Sequence, residues 1–237
     1  MDNSKKKNAD KVLNEFSENF DEYVFCMSFA TKGIHIFGKQ LASENTSESQ
    51  QSWIATDCNT TSPNMRARMN TTDCIDKCSK DGHFSNEIMK SLLCTVYALW
   101  DEVYRHRLSE AIDIEPRYIE CPLMGDLRKV RHCIIHSKST VPVRGFEFEE
   151  LTWELSPGKL TITYDMFLEL NDLVKKGMRF CIFSPPEALK ELFPKMTNNE
   201  RKSFDEFFKN RDNRIEGKEW PGLAKFLERI NCNGSVK

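Results

Sequence analysis

A chain of 237 residues with 39% hydrophobic content is long enough to bury a sizeable core, which excludes a disordered polypeptide as the default reading. Its 34 basic and 36 acidic side chains leave a formal charge of -2, so no global field advertises a nucleic acid or an anionic membrane, and such a partner must be held locally. The lysine-rich start leads into polar, amphipathic sequence without the apolar stretch of an export signal, and no run reaches membrane-spanning length. The expectation is a soluble cytoplasmic protein with no membrane partner and with its nine cysteines reduced.

Val12, Leu13, Phe16, Phe20, Tyr23, Val24 and Met27 recur at helical spacing, and the pattern continues through Phe37 to Leu41. Residues 9 to 42 therefore predict a long first helix, with Gly33 and Gly38 as the places where it would break. Residues 43 to 84 are rich in Ser, Thr and Asn with no sustained period, and read as a flexible insertion with some order around Trp53. Ser85 is the expected N-cap of the next helix, with Glu87 in its first turn. Two apolar stripes follow, Ile88/Leu92/Val96/Leu99/Val103 and Met89/Leu93/Tyr97/Trp100/Tyr104, and predict a helix packed from two sides at the centre of a bundle. A third helix begins between Pro122 and Asp126. Leu151, Trp153 and Leu155 alternate before Ser156-Pro157-Gly158-Lys159, and Leu160 and Ile162 after it, which predicts a small β-hairpin with a type II turn. A fourth helix from 164 to 177 should stop at Gly177. The three short helical stretches beyond it read as an appendage, so the expected domains are 1–178 and 179–237.

The third helix, "GDLRKVRHCIIHSKS", concentrates cations and histidines beside its own core pattern. With Arg128 at the origin and about 100° per residue, Leu123, Leu127, Val130 and Ile134 fall between about 200° and 260°, while Arg128, His132 and His136 fall near 0°, 40° and 80°. Arg131, near 300° on the same wheel, lies on the flank. Residues 126 to 144 hold five Lys or Arg against one Asp in a chain of net charge -2, a local patch that would attract phosphate. A solvated basic face is the bland explanation. Two histidines four residues apart argue for more, because histidine moves protons near neutral pH.

Arg131-His132-Cys133-Ile134-Ile135-His136 resembles the R-x4-6-H signature of the HEPN superfamily. The long first helix and the aromatic second helix "LLCTVYALWDEVYRHRL" before the motif look like an uncharacterised bacterial HEPN subfamily, over roughly residues 9 to 178. The resemblance implies an all-α, four- or five-helix bundle, here with a small β-hairpin and a short helical C-terminal appendage. It further implies a metal-independent endoribonuclease of the toxin or defence-effector kind, acting by 2′-hydroxyl attack within RNA. Arg131 and His136 would be the catalytic pair and His132 the variable polar member, in a cleft shared by a homodimer and restrained by an antitoxin or other defence-system partner. Asp101 and Glu102 are the candidates for acidic support from the second helix, and Arg128 and Lys138 complete the basic patch that would meet RNA. The alternative is a non-catalytic HEPN module that binds RNA, a nucleotide or a partner protein.

Cys58, Cys74, Cys78 and His83 have the residue types of a Cys3His zinc site, but their polar segment lacks knuckle glycines, and unligated thiols are the expectation. There is no phosphate-cradling glycine loop and no HExxH, so no metal and no cofactor is expected.

Overall fold

In the computed structural model, which describes residues 3–44, 50–55, 65–182, 193–209 and 219–234, Ala9, Val12, Phe16, Phe20 and Met27 form the buried stripe of one uninterrupted helix, α1 (Asn3–Glu44). Neither glycine breaks it. Gly38 instead marks a close approach: a Cβ there would lie 2.5 Å from Cβ of Cys78. The chain divides into two compact units, residues 1–116 with 121–180, and residues 117–120 with 181–237.

In the first unit α1 is followed by an antiparallel pair, β1 (Gln51–Ala55) and β2 (Met65–Asn70), and by α2 (Thr71–Lys77). Asn70 caps α2, its side-chain oxygen accepting from Thr72 N–H at 2.8 Å. The segment expected to be a flexible insertion thus carries a hairpin and a helix, and Thr71, Cys74 and Cys78 are buried. Met65, Ala67 and Met69 alternate with Arg66, Arg68 and Asn70, a period-two signal hidden inside a polar composition.

The central rod runs through α3 (His83–Leu99), a π-helical turn (Trp100–Tyr104) and α4 (Arg105–Ile112). It starts after Gly82, so Ser85 is not its cap but a buried residue of its first turn. Trp100, Tyr104, Leu108 and Ile112 are all buried, at successive steps of four. That spacing is wider than the α-helical 3.6, and the π turn absorbs the surplus and holds them on one side. Phe16 meets Trp100 and Tyr104 edge-on, with ring centroids 5.5 and 5.1 Å apart. The Met89/Leu93/Tyr97/Trp100/Tyr104 stripe is buried throughout; the other is buried at Val96, half-buried at Ile88, Leu92 and Leu99, and exposed at Val103.

The motif helix, α5 (Pro122–His136), packs on α3 and begins with proline in its first turn, where a missing N–H costs nothing. After it, β4 (Thr140–Val141) pairs antiparallel with β5 (Gly158–Lys159). The expected local hairpin does not form: Gly158 does take a positive φ of 113°, but its strand pairs back to the end of the motif helix. Leu151, Trp153, Leu160 and Ile162 are nevertheless buried, because alternation reports burial and not the identity of the pairing strand. Last in this unit is α6 (Tyr164–Lys175), capped by Thr163 and ended at Gly177, whose φ is 93°. α1 packs against α3, α4 and α6, and the stacked rings of Phe20 and Phe167 lie in that core.

The second unit pairs β3 (Ile119–Glu120) with β6 (Cys181–Ile182) and contains α7 (Asn198–Lys209) and α8 (Leu223–Gly234). Residues 117–120 belong with it, although they lie inside the expected 1–178 domain. Phe193, Phe204, Phe208, Trp220 and Phe226 are its buried aromatics. Glu200, in the first turn of α7, accepts from Thr197 N–H at 2.8 Å and takes Arg229 on both its oxygens at 3.0 and 2.7 Å. The first of the three expected short helices, at 183–193, lies almost wholly outside the described residues. The architecture is mostly helical with small antiparallel sheets, and no described helix is long and apolar enough to cross a membrane.

Candidate functional site

Leu123, Met124, Leu127, Val130 and Cys133 give α5 its buried face. Ile134, expected in the same stripe, is only half-buried, because the helix ends two residues later and its neighbours part to form a cleft. Asp126 is buried as well, at 1% exposure. Its Oδ2 accepts the N–H groups of Glu149, Glu150 and Leu151 at 2.8, 2.7 and 3.2 Å, and its Oδ1 meets Nζ of Lys129 at 3.0 Å. A buried carboxylate needs such compensation, so Asp126 and Lys129 of the local charge patch serve to tie the 149–151 segment to the helix.

On the other side, Arg128, His132 and His136 are exposed, as the helical wheel predicts. The two imidazole rings lie against each other, 4.8 Å between centroids and tilted by 37°. Arg131 is half-buried on the flank, its guanidinium 5.4 Å from the centroid of the Tyr97 ring on α3. Burial pushes the Tyr97 hydroxyl above its usual pKa and the Asp101 charge adds to this, while the cations of Arg128, Arg105 and Arg131 oppose it. Of these charges, Arg131 is the one laid over the ring itself.

Asp101 lies in that group but is committed elsewhere: its Oδ1 accepts from Arg105 Nη2 at 2.8 Å, one turn along the same helix. Glu102 is exposed and pairs with no described residue. Arg128 and Arg131 have no carboxylate partner among the described residues, so their charge is available. Lys138 is not on this face. It follows the helix end in a left-handed conformation (φ 50°) and lines the separate cleft beside Ile134. The residue that sequence reasoning missed is Tyr97, the platform for Arg131; its position one turn before Asp101 on the aromatic helix was the available signal.

Positions five apart on a helix diverge by about 140°, so Arg131 leans toward α3 while His136 stands on the open ridge. Chemically, the face offers two unpaired guanidinium groups suited to phosphate oxygens and an accessible imidazole suited to proton transfer. The cysteines offer less. Cys74 and Cys78 are buried in contact with each other, and burial with that neighbour pushes the Cys78 thiol up to about 11. His83 lies 3.7 Å from Glu87, and Cys58 is outside the described residues. No three His, Cys, Asp or Glu side chains among the described residues are grouped to hold a metal ion.

Comparison of the chain with family models, with curated proteins and with solved structures finds no match.

Proposed function

We propose that the chain is a metal-independent endoribonuclease of HEPN type that works through the outward face of α5. The observation that carries this reading is the pairing of an exposed histidine ridge with a guanidinium, Arg131, laid on a buried tyrosine and left without a carboxylate partner. RNA places a 2′-hydroxyl beside each scissile phosphate, so the protein need not generate a nucleophile. The 2′-oxygen attacks phosphorus, the bond to the 5′-oxygen breaks, and the products end in a 2′,3′-cyclic phosphate and a 5′-hydroxyl. His136 takes the proton from the 2′-hydroxyl or delivers one to the departing 5′-oxygen, and His132 lies tilted against it. Arg131, with Arg128 nearby, holds the phosphate oxygens and stabilises the added negative charge of the pentacoordinate transition state.

The divergence of Arg131 and His136 along one helix favours a symmetric homodimer in which two motif helices face each other and each copy completes the other's site. An antitoxin or other defence-system partner would act by covering the same ridge. One observation favours the non-catalytic alternative: Arg105 neutralises Asp101, the acid nearest the motif, which suits phosphate binding without turnover. Incubating the protein with RNA and with its 2′-deoxy counterpart in EDTA decides between them. Cleavage of RNA alone, with cyclic-phosphate ends and a dimer by light scattering, is the expected result. Binding without cleavage would move the reading to a recognition module, and cleavage of the deoxy strand would exclude the mechanism.

A further inference from the structure

Beside the end of α5 lies a cleft of about 580 Å³ lined by His83, Glu87 and Lys90 of α3, by Ile134, by the Lys138–Thr140 turn, and by Gly158 and Lys159 of β5. This is within the size range of small-molecule sites. Lys90 is 2% exposed, and its ammonium, which has three protons to donate, meets one carboxylate oxygen, of Glu87, at 3.0 Å. Glu87 is half-exposed and is shared with His83. Lys138 and Lys159 have no ion-pair partner among the described residues, so the cleft is lined by three lysines and one carboxylate. A buried cation this poorly compensated is expensive unless a further anion joins it.

The far wall is built rather than loose. Lys138 and Ser139 hold successive positive φ angles of 50° and 56°, a conformation that non-glycine residues rarely take. It is held by Ser139 N–H donating to Cys133 O at 3.1 Å, by Leu160 N–H donating to Ser139 O at 2.7 Å, and by the pairing of Thr140 with Lys159. These bonds fix the backbone of two lysines from separate parts of the chain on the same cleft, which Ser139 and Thr140 also line. Among the described residues no Phe, Tyr or Trp lines it, and the ring of His83 stands beside Glu87, so the lining is richer in phosphate donors than in stacking surfaces for a nucleobase.

We propose that this cleft is a phosphate-binding site, distinct from the Arg131/His136 face, in which Lys90, Lys138 and Lys159 hold the phosphate of a free nucleotide or of an RNA strand. It lies along the same helix as Tyr97, seven residues or about 10 Å away at 1.5 Å per residue. The site does not depend on the ribonuclease reading, since it can bind phosphate whether or not RNA is cut.

The test is calorimetric titration of the full chain with inorganic phosphate, adenosine 5′-monophosphate and a short 2′-O-methyl oligonucleotide that cannot be cleaved. The Lys138→Ala/Lys159→Ala variant should lose about tenfold or more in phosphate affinity. Lys175→Ala, at a lysine of α6 that pairs with Asp21 and does not line the cleft, should bind phosphate as the native chain does, and Lys90→Met should weaken it as the double variant does. If the oligonucleotide weakens in parallel with phosphate, the anion belongs to the strand; if only phosphate and the nucleotide weaken, it is a free ligand. The proposal is overturned if the native chain takes up no phosphate, or if the lysine double variant binds it as tightly as the native chain does.

Discussion

The two sides of α5 treat charge in opposite ways. Asp126 on the inner side is buried and receives three backbone N–H groups and a lysine, whereas His132 and His136 on the outer side are exposed, their rings set against each other. Between them stands Arg131, half-buried and resting on a ring in place of a carboxylate. Charge that the fold fully compensates holds the fold together, and charge left uncompensated in a fixed position is free to meet a ligand. The contrast also separates what substitution should do on each side.

The largest effect should come from Asp126→Ala, which strands the N–H groups of residues 149–151 and should cost about 3–5 kcal/mol in chemical denaturation. A loss below about 1 kcal/mol, the scale of a surface pair, would erase the contrast. Next, Leu127→Ala, at a fully buried position, should cost about 2–5 kcal/mol as a cavity. Ile134→Ala, at the rim of the cleft, should cost clearly less in the same denaturation series. Equal losses at the two positions would place Ile134 in the core after all.

Acid should act on the second unit through Glu200. Its carboxyl is held at about 2, down from 4.5, first by Arg229 and then by Thr197 N–H. A carboxyl depressed in the folded state adds stability that is fully present above 4.5 and lost as pH falls toward 2. The gap in unfolding midpoint between the native chain and Glu200→Gln should therefore close across that window, and a constant gap would contradict the assignment. The smallest effect belongs to the ridge: His132→Ala and His136→Ala should each change stability by no more than about 0.5 kcal/mol.

The helical wheel read the outward placement of Arg128, His132 and His136 correctly, and the flank position of Arg131, because α5 is a regular helix and its angles follow from residue count alone. The same arithmetic could not find Tyr97, since which ring meets Arg131 depends on how two helices are apposed. The family resemblance offered Asp101 and Glu102 as acidic support without choosing between them; Asp101 is engaged by its turn-to-turn partner Arg105 at 2.8 Å, and Glu102 is exposed. The π turn was legible in principle, from the steps of four between Trp100, Tyr104, Leu108 and Ile112. The hairpin of β1 and β2 was masked by its Ser/Thr/Asn surroundings, and the partner of β5 was hidden because strand pairing across a long connection leaves no local mark.

The central claim is that the outer face of α5 carries chemistry and not stability. Its most direct test is the initial rate of RNA cleavage in EDTA by His136→Ala, measured beside its unfolding midpoint. The account predicts a midpoint like that of the native chain with a cleavage rate reduced by about 100-fold or more, the usual worth of a general acid or base. Cleavage at the native rate by a folded His136→Ala protein would contradict it.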